Sequence, residues 1–236
     1  MTFKPWIALL LVSGTSVGAG QALTSRAAQS AASAGATSAQ APAATSFPKD
    51  VYANTGNRLP AVKREDLDDA GKKLFDSRGT ADFFGPGGIR LYSPPVAEQM
   101  SGINDFLRHK SGLDPRLVEL AILVTAREEN CEYVWTAHEP MGLKAGLQPE
   151  VIDAVRNHKS TEGLAEKDAI IIQLGREAIG KHHASSDVAA RALNLFGKQG
   201  LVNIVSLMGD YASTAILLNA FDQHVRPADK ALLPIP

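Results

Sequence analysis

The feature that most constrains this chain is the spacing of its apolar residues. They follow a helical period almost throughout and rarely alternate as a strand would. The clearest case is DPRLVELAILVTARE, residues 114–128. Asp114 stands where a helix N-cap belongs, and Pro115 takes the first helical position, where a missing N–H removes no bond. Leu117, Leu120, Ala121 and Val124 then fall on one inward face, and Leu120–Ala126 is apolar nearly all round. Glu119 lies beside that stripe, so its carboxylate is expected to be partly buried. SPPVAEQM repeats the grammar, with Ser93 as cap, Pro94 first, and Val96, Met100, Ile103 and Leu107 as the stripe. Leu67, Ala70, Gly71, Leu74 and Phe75 share one face of an earlier helix. Further helices are expected from Cys131, capped by Asn130, to KAGL; over QPEVIDAVRNH; over Leu164–Ile179; over Ser186–Phe196, ending at Gly197; and over Leu201–Phe221. FFGPGG, residues 83–88, reads as loop. The expectation is an all-α fold, a compact bundle of six to eight helices.

That domain is expected to span 47–236. Residues 1–22 read as a secretory signal peptide: Lys4 is followed by the uncharged apolar run Trp6–Val17, and GQA ends it with small residues at −3 and −1 of a cut. An uncleaved anchor is the alternative. Residues 23–46 are Ala/Ser-rich and hold almost nothing to bury, as in a flexible linker. The expected location is therefore periplasmic or secreted, without stable membrane insertion once the signal is removed. Lys and Arg number 24 against 25 Asp and Glu, so no strongly basic balance points to a nucleic-acid partner. With one cysteine, Cys131, the chain cannot form an internal disulfide. The thiol is buried, reactive, or paired with another chain.

ENCEYVWTAHEP, residues 129–140, holds the chemistry. Cys131 opens a helix, where the macrodipole favours a thiolate, and His138 follows seven residues later on the same face. Glu119 comes from the preceding helix and joins them if the turn at 128–130 is tight. Three proton-active groups on one seam make an acid–base site or a thiol site. The plainer readings are a small buried thiol, a surface imidazole, and a Glu119 paired only with Arg116 or Arg127. Tyr133 and Trp135 are either pocket walls or core and interface aromatics. HEPMG is not a zinc-binding H-E-x-x-H, because Gly142 stands where the second histidine belongs, and His182 and His183 sit together without further ligands. No Gly-rich phosphate loop, G-x-S-x-G or C-x-x-C occurs, so neither metal nor cofactor is expected.

Residues 116–156, with NRLP, GPGGIRLYSPPVAEQM and FGKQGLVNIVSLMGDYASTAILLNAF, resemble the carboxymuconolactone decarboxylase superfamily, which includes alkylhydroperoxidase D-like proteins. The resemblance runs from Phe47 to Val225. It implies an alkylhydroperoxidase D-like fold and a homotrimer or homohexamer with sites near subunit interfaces. The peroxidase branch uses a glutamate followed by C-x-x-C-x-x-x-H. Glu119, Cys131 and His138 match three of those positions, but Val134 replaces the second cysteine. An intramolecular dithiol–disulfide cycle then cannot run, and a sulfenic acid at Cys131 would need an external thiol. The decarboxylase branch performs acid–base chemistry on a carboxylated lactone. The leading expectation is an enzyme of that kind acting on a small carbonyl or lactone compound, by decarboxylation or a related lyase or isomerase step. His138 would carry the proton, Glu119 would tune it, Cys131 would be auxiliary, and Tyr133, Trp135 and Tyr211 would line the pocket. The alternatives are a single-cysteine peroxidase centred on Cys131 and a non-catalytic helical oligomer that binds a ligand.

Overall fold

The computed structural model describes residues 47–77 and 82–236, so the expected signal peptide and Ala/Ser linker lie outside the described residues. Eight α-helices follow in order: α1 (Asp69–Ser77), α2 (Pro86–Arg90), α3 (Pro94–Asp105), α4 (Pro115–Glu128), α5 (Glu132–Lys144), α6 (Pro149–Arg156), α7 (Glu166–Gly175) and α8 (Ser186–Ala220). Helices α3 and α7 each run on into a π-helical turn, Phe106–Lys110 and Arg176–Gly180. Among the described residues there is no strand, only an isolated antiparallel bridge between Tyr52 and Asn57. The all-α expectation holds, and among the described residues the helix count lies at the top of the expected range.

Helix α4 is the axis of the fold. The Asp114 carboxylate accepts the Arg116 N–H at 2.9 Å, Pro115 takes the first position, and every residue from Leu117 to Ala126 is buried. Helices α5, α7 and α8 pack around it. Each fully buried Leu or Ile of this layer contributes about 1.5–3 kcal/mol relative to exposure. Leu120, Ile122, Leu123, Ile170, Ile171, Ile172, Ile204 and Leu207 form its centre, fully or almost fully removed from solvent. Burial on all sides is what an all-round apolar helix demands.

The turn from α4 to α5 is as short as expected, but its caps differ. Asn130 does not cap α5. It adopts left-handed backbone, φ 49°, and helps α4 to end, a conformation that asparagine tolerates better than most residues. Cys131 is the residue that precedes α5, with extended φ −94° and ψ 92°. Pro140 lies inside α5, which continues to Lys144.

Two further expectations are corrected, and a third holds. The stretch 83–88 is not all loop, because α2 begins at Pro86 with proline in the first helical turn. The α3 stripe faces this chain's core only in part: Val96 and Ile103 are about half exposed, while Leu107 of the stripe is buried in the core and Ala97, beside it, is buried too. Helix α8 is interrupted at Gly197, whose φ 65° and ψ 176° leave helical space. That region is open essentially to glycine alone, so the sequence-based helix end at Gly197 is right even though hydrogen bonding continues across the break. The helix is long and apolar enough to cross a membrane by length and composition. Its inner face nevertheless belongs to the bundle core through Ile204, Leu207, Met208, Tyr211, Ala215 and Leu218.

Candidate active site

The site begins with a buried carboxylate on the central helix. Glu119 points from α4 toward α5, where His138 Nδ1 lies 2.7 Å from its Oε2. Its other oxygen, Oε1, accepts from Arg108 Nη2 at 3.1 Å. Arg108 reaches it from the π-helical turn after α3. Burial works to raise the Glu119 pKa. The hydrogen bond and charge of His138, followed by Arg108, outweigh that and leave the carboxyl below its ordinary value. Glu119 is therefore ionised at neutral pH and can only accept, so His138 donates through Nδ1–H. Among the described residues, Nε2 has no hydrogen-bond partner.

His138 opens on a cavity of about 260 Å³. Tyr133, Val134 and Ala137 of α5 line one side, Asn104 and Arg108 a second, and Tyr211 and Thr214 of α8 a third, with Pro86 and Arg90 of α2 closing it. The Tyr211 ring meets the imidazole edge to face, 5.1 Å between centroids at 90°, and limits its rotation. Burial pushes the Tyr211 phenol up to about 12, so it is neutral at ordinary pH. Burial also raises Tyr133. Tyr133 is wedged against Gly85: a side-chain carbon there would stand 2.4 Å from its hydroxyl oxygen, so only glycine allows the approach.

The expected residues separate into two groups. Glu119, His138, Tyr133 and Tyr211 converge. Trp135 does not line the pocket; it is fully buried, donates to Glu139 Oε2 at 2.6 Å, and lies under the Arg156 guanidinium at 5.4 Å. Cys131 is also absent from the pocket wall. Its thiol is buried in the hydrophobic core, and burial pushes its pKa up to about 11 against the pull of nearby backbone amides. The seven-residue spacing would put Cys131 in phase with His138 only inside a helix, but Cys131 precedes the first helical residue, so helical phase does not apply to it. Val134, one turn before His138, takes the wall position instead.

Sequence reasoning missed Arg90, Asn104, Arg108 and Thr214. Arg90 lay in the glycine-rich stretch read partly as loop. Arg108 follows the α3 stripe by one residue, but the π-helical turn shifts the side-chain phase there and aims it back at Glu119. Arg116 and Arg127 do not pair with Glu119: Arg116 binds Asp168 at 2.7 and 2.9 Å, and Arg127 binds Asn130. Among the described residues, no group of three or more His, Cys, Asp or Glu stands close enough to hold a metal ion.

Residues 94–170, which contain Arg108, Glu119, Cys131 and His138, match the carboxymuconolactone decarboxylase family. Over that third of the chain it is similar to the carboxymuconolactone decarboxylase family. Two solved structures share this helical fold. One is an Agrobacterium tumefaciens protein of unknown function, described as a candidate antioxidant-defence protein AhpD. It superposes with a TM-score of 0.52 at 15% identity, covering 62% of this chain and 96% of its own. The other is an alkylhydroperoxidase AhpD core, an uncharacterised peroxidase-related protein from Ralstonia eutropha, with a TM-score of 0.57 at 16% identity, covering 72% and 92%. At these identities the likeness is one of fold. No curated protein matches the sequence significantly.

Proposed function

We propose that this protein performs general acid–base chemistry on a small carbonyl or lactone compound, by decarboxylation or a related lyase or isomerase step. The observation that carries this reading is the 2.7 Å contact between Glu119 and His138 Nδ1, which leaves Nε2 for the pocket. In a decarboxylation the bond to the departing carboxylate breaks and its electron pair passes into an enolate. His138, entering this step as the imidazolium with a proton on each ring nitrogen, delivers its Nε2 proton to the carbanionic carbon and is left as the neutral Nδ1–H tautomer, and solvent then restores the proton to Nε2. Glu119 fixes the tautomer and supports the charge the imidazole carries when protonated. The Tyr133 hydroxyl, kept protonated by burial, supplies a donor for the enolate oxygen.

The second reading, a thiol peroxidase, draws on the names of the two structural neighbours. It would need Cys131 as nucleophile. A thiol with a pKa near 11, shut in the core, has few thiolates to offer at neutral pH, and Val134 provides no resolving partner.

The test is to incubate the protein in deuterium oxide with a panel of β-keto acids and γ-lactones, and separately with peroxide and dithiothreitol. The acid–base reading predicts product carrying deuterium at the protonated carbon, with little peroxide consumed. Thiol-dependent peroxide turnover without any reaction of the carbonyl panel would replace it with the second reading.

A further inference from the structure

Arg90 stands out in the pocket wall because its charge is not matched. It is the last residue of α2, partly buried, between the buried Ile89 and Leu91. Its Nη2 donates to Thr214 Oγ1 at 2.8 Å. Among the described residues it forms no ion pair, although a guanidinium carries five N–H donors. Burial lowers its pKa, and the Asp210 carboxylate, which works to raise it, does not make up the difference. Removing a cation from water without a partner is costly, and the usual resolution is an anion bound beside it.

The other charges around the cavity are already engaged. Arg108 is tied to Glu119, and Glu119 is held between Arg108 and His138. Asp210 accepts from Asn104 at 2.8 Å through Oδ2, while its Oδ1 is buried without a partner. Formally, Arg90 and Arg108 balance Glu119 and Asp210, so any preference for an anion comes from direction rather than net field. The direction favours it: both arginines line the cavity, and neither carboxylate does. Arg90 is also held firmly. A side-chain carbon at Gly88 would stand 2.0 Å from the Phe83 carbonyl oxygen, which shows how tightly α2 closes on the preceding loop.

We infer that Arg90 is a specificity residue that anchors an anionic group, a carboxylate, on the molecule this pocket takes. The planar guanidinium fork matches a carboxylate in two parallel hydrogen bonds. The molecule must be small, because a cavity of about 260 Å³ falls just below the usual range for drug-sized ligands. With the carboxylate on α2, the rest of the molecule extends toward His138 Nε2 on α5. The inference rests on the reading of the His138 pocket as the active site.

The test reads binding rather than turnover. The His138 ring signals of the intact protein are followed by NMR during titration with 4-oxopentanoate, benzoate and the methyl ester of each. The acids should move the signals at millimolar concentration, and the esters should bind at least about tenfold more weakly, the worth of a charge-assisted hydrogen bond. Arg90→Gln should bring the acids down to the level of the esters. Arg90→Lys keeps the charge but loses the fork, and should weaken the acids by a smaller factor; it decides the question if Arg90→Gln does not fold. Esters that bind as well as acids, acid binding unchanged in both variants, or no response to either acid would each overturn the inference. Acid binding through Arg90 in a protein that turns over none of the carbonyl panel would instead count against the acid–base reading alone.

Discussion

The Cys131 thiol and the Glu119 carboxyl are shifted in opposite directions, and each shift has a measurable consequence. The thiol is raised to about 11, so at neutral pH only on the order of one molecule in 10⁴ carries a thiolate. Native protein at pH 7 should react with dithionitrobenzoate only at the rate at which it unfolds. Rapid stoichiometric labelling of the folded state would show that the thiol is not shut in. The raised pKa also stabilises the fold below the ordinary thiol value of 9.0, and this contribution is lost as pH rises through about 11. Glu119 has the opposite sign. Its folded pKa is lowered, so its contribution is complete above the ordinary 4.5 and disappears as pH falls through the lower folded value. Denaturant melts from neutral to acid pH should therefore show a shallower loss of stability in Glu119→Gln than in the wild type. An equally steep loss would mean that other carboxylates carry the acid limb.

The elements show which positions the sequence could reveal. Helices α4, α6 and the first part of α8 are legible because apolar spacing there is joined by a proline at the start, in α4 and α6, or by a glycine at the end, in α8. Glu119 and His138 were legible because a three-residue turn returns the chain on itself and leaves little choice of partner. The α3 stripe misled because periodicity reports an apolar face without saying what covers it. Trp135 was ambiguous because an aromatic in a helix reads alike as core and as pocket wall. Arg108 was hidden by a π-helical turn, and Arg90 by a five-residue helix inside a glycine-rich stretch. Two substitutions test these elements. Gly197→Ala should cost about 1–3 kcal/mol in thermal or denaturant unfolding, because the backbone there suits glycine alone while no neighbouring atom crowds the added carbon. An unchanged stability would mean the break in α8 is not maintained in solution. Val134→Cys should place a thiol in the first turn of α5 beside His138, where the helix N-terminus lowers its pKa. That thiol should label faster than Cys131, and equal rates would contradict the assignment of Val134 to the pocket wall.

At the scale of the whole molecule, apolar side chains lie on the outside. Val96, Ile103 and Phe106 along α3 and its continuation, and Val202, Val205 and Ile216 along α8, are each between about two-fifths and two-thirds exposed. Exposed apolar residues in such numbers are common at interfaces between copies of a chain. We propose that the protein is an exported homo-oligomer, a trimer or hexamer as in the resemblance, using these helices. Light scattering should give a mass of at least three chains, and Val202→Glu with Ile216→Glu should lower it without loss of helical circular dichroism. A stable wild-type monomer at micromolar concentration would refute the proposal. The central claim is that the imidazole, not the sulfur, does the chemistry. The most direct measurement compares kcat/KM for His138→Ala and Cys131→Ser on whichever β-keto acid or lactone the wild type converts. Acid–base catalysis by the imidazole predicts a loss on the order of 10²-fold or more for His138→Ala and near wild-type activity for Cys131→Ser. A dead Cys131→Ser beside an active His138→Ala would contradict it.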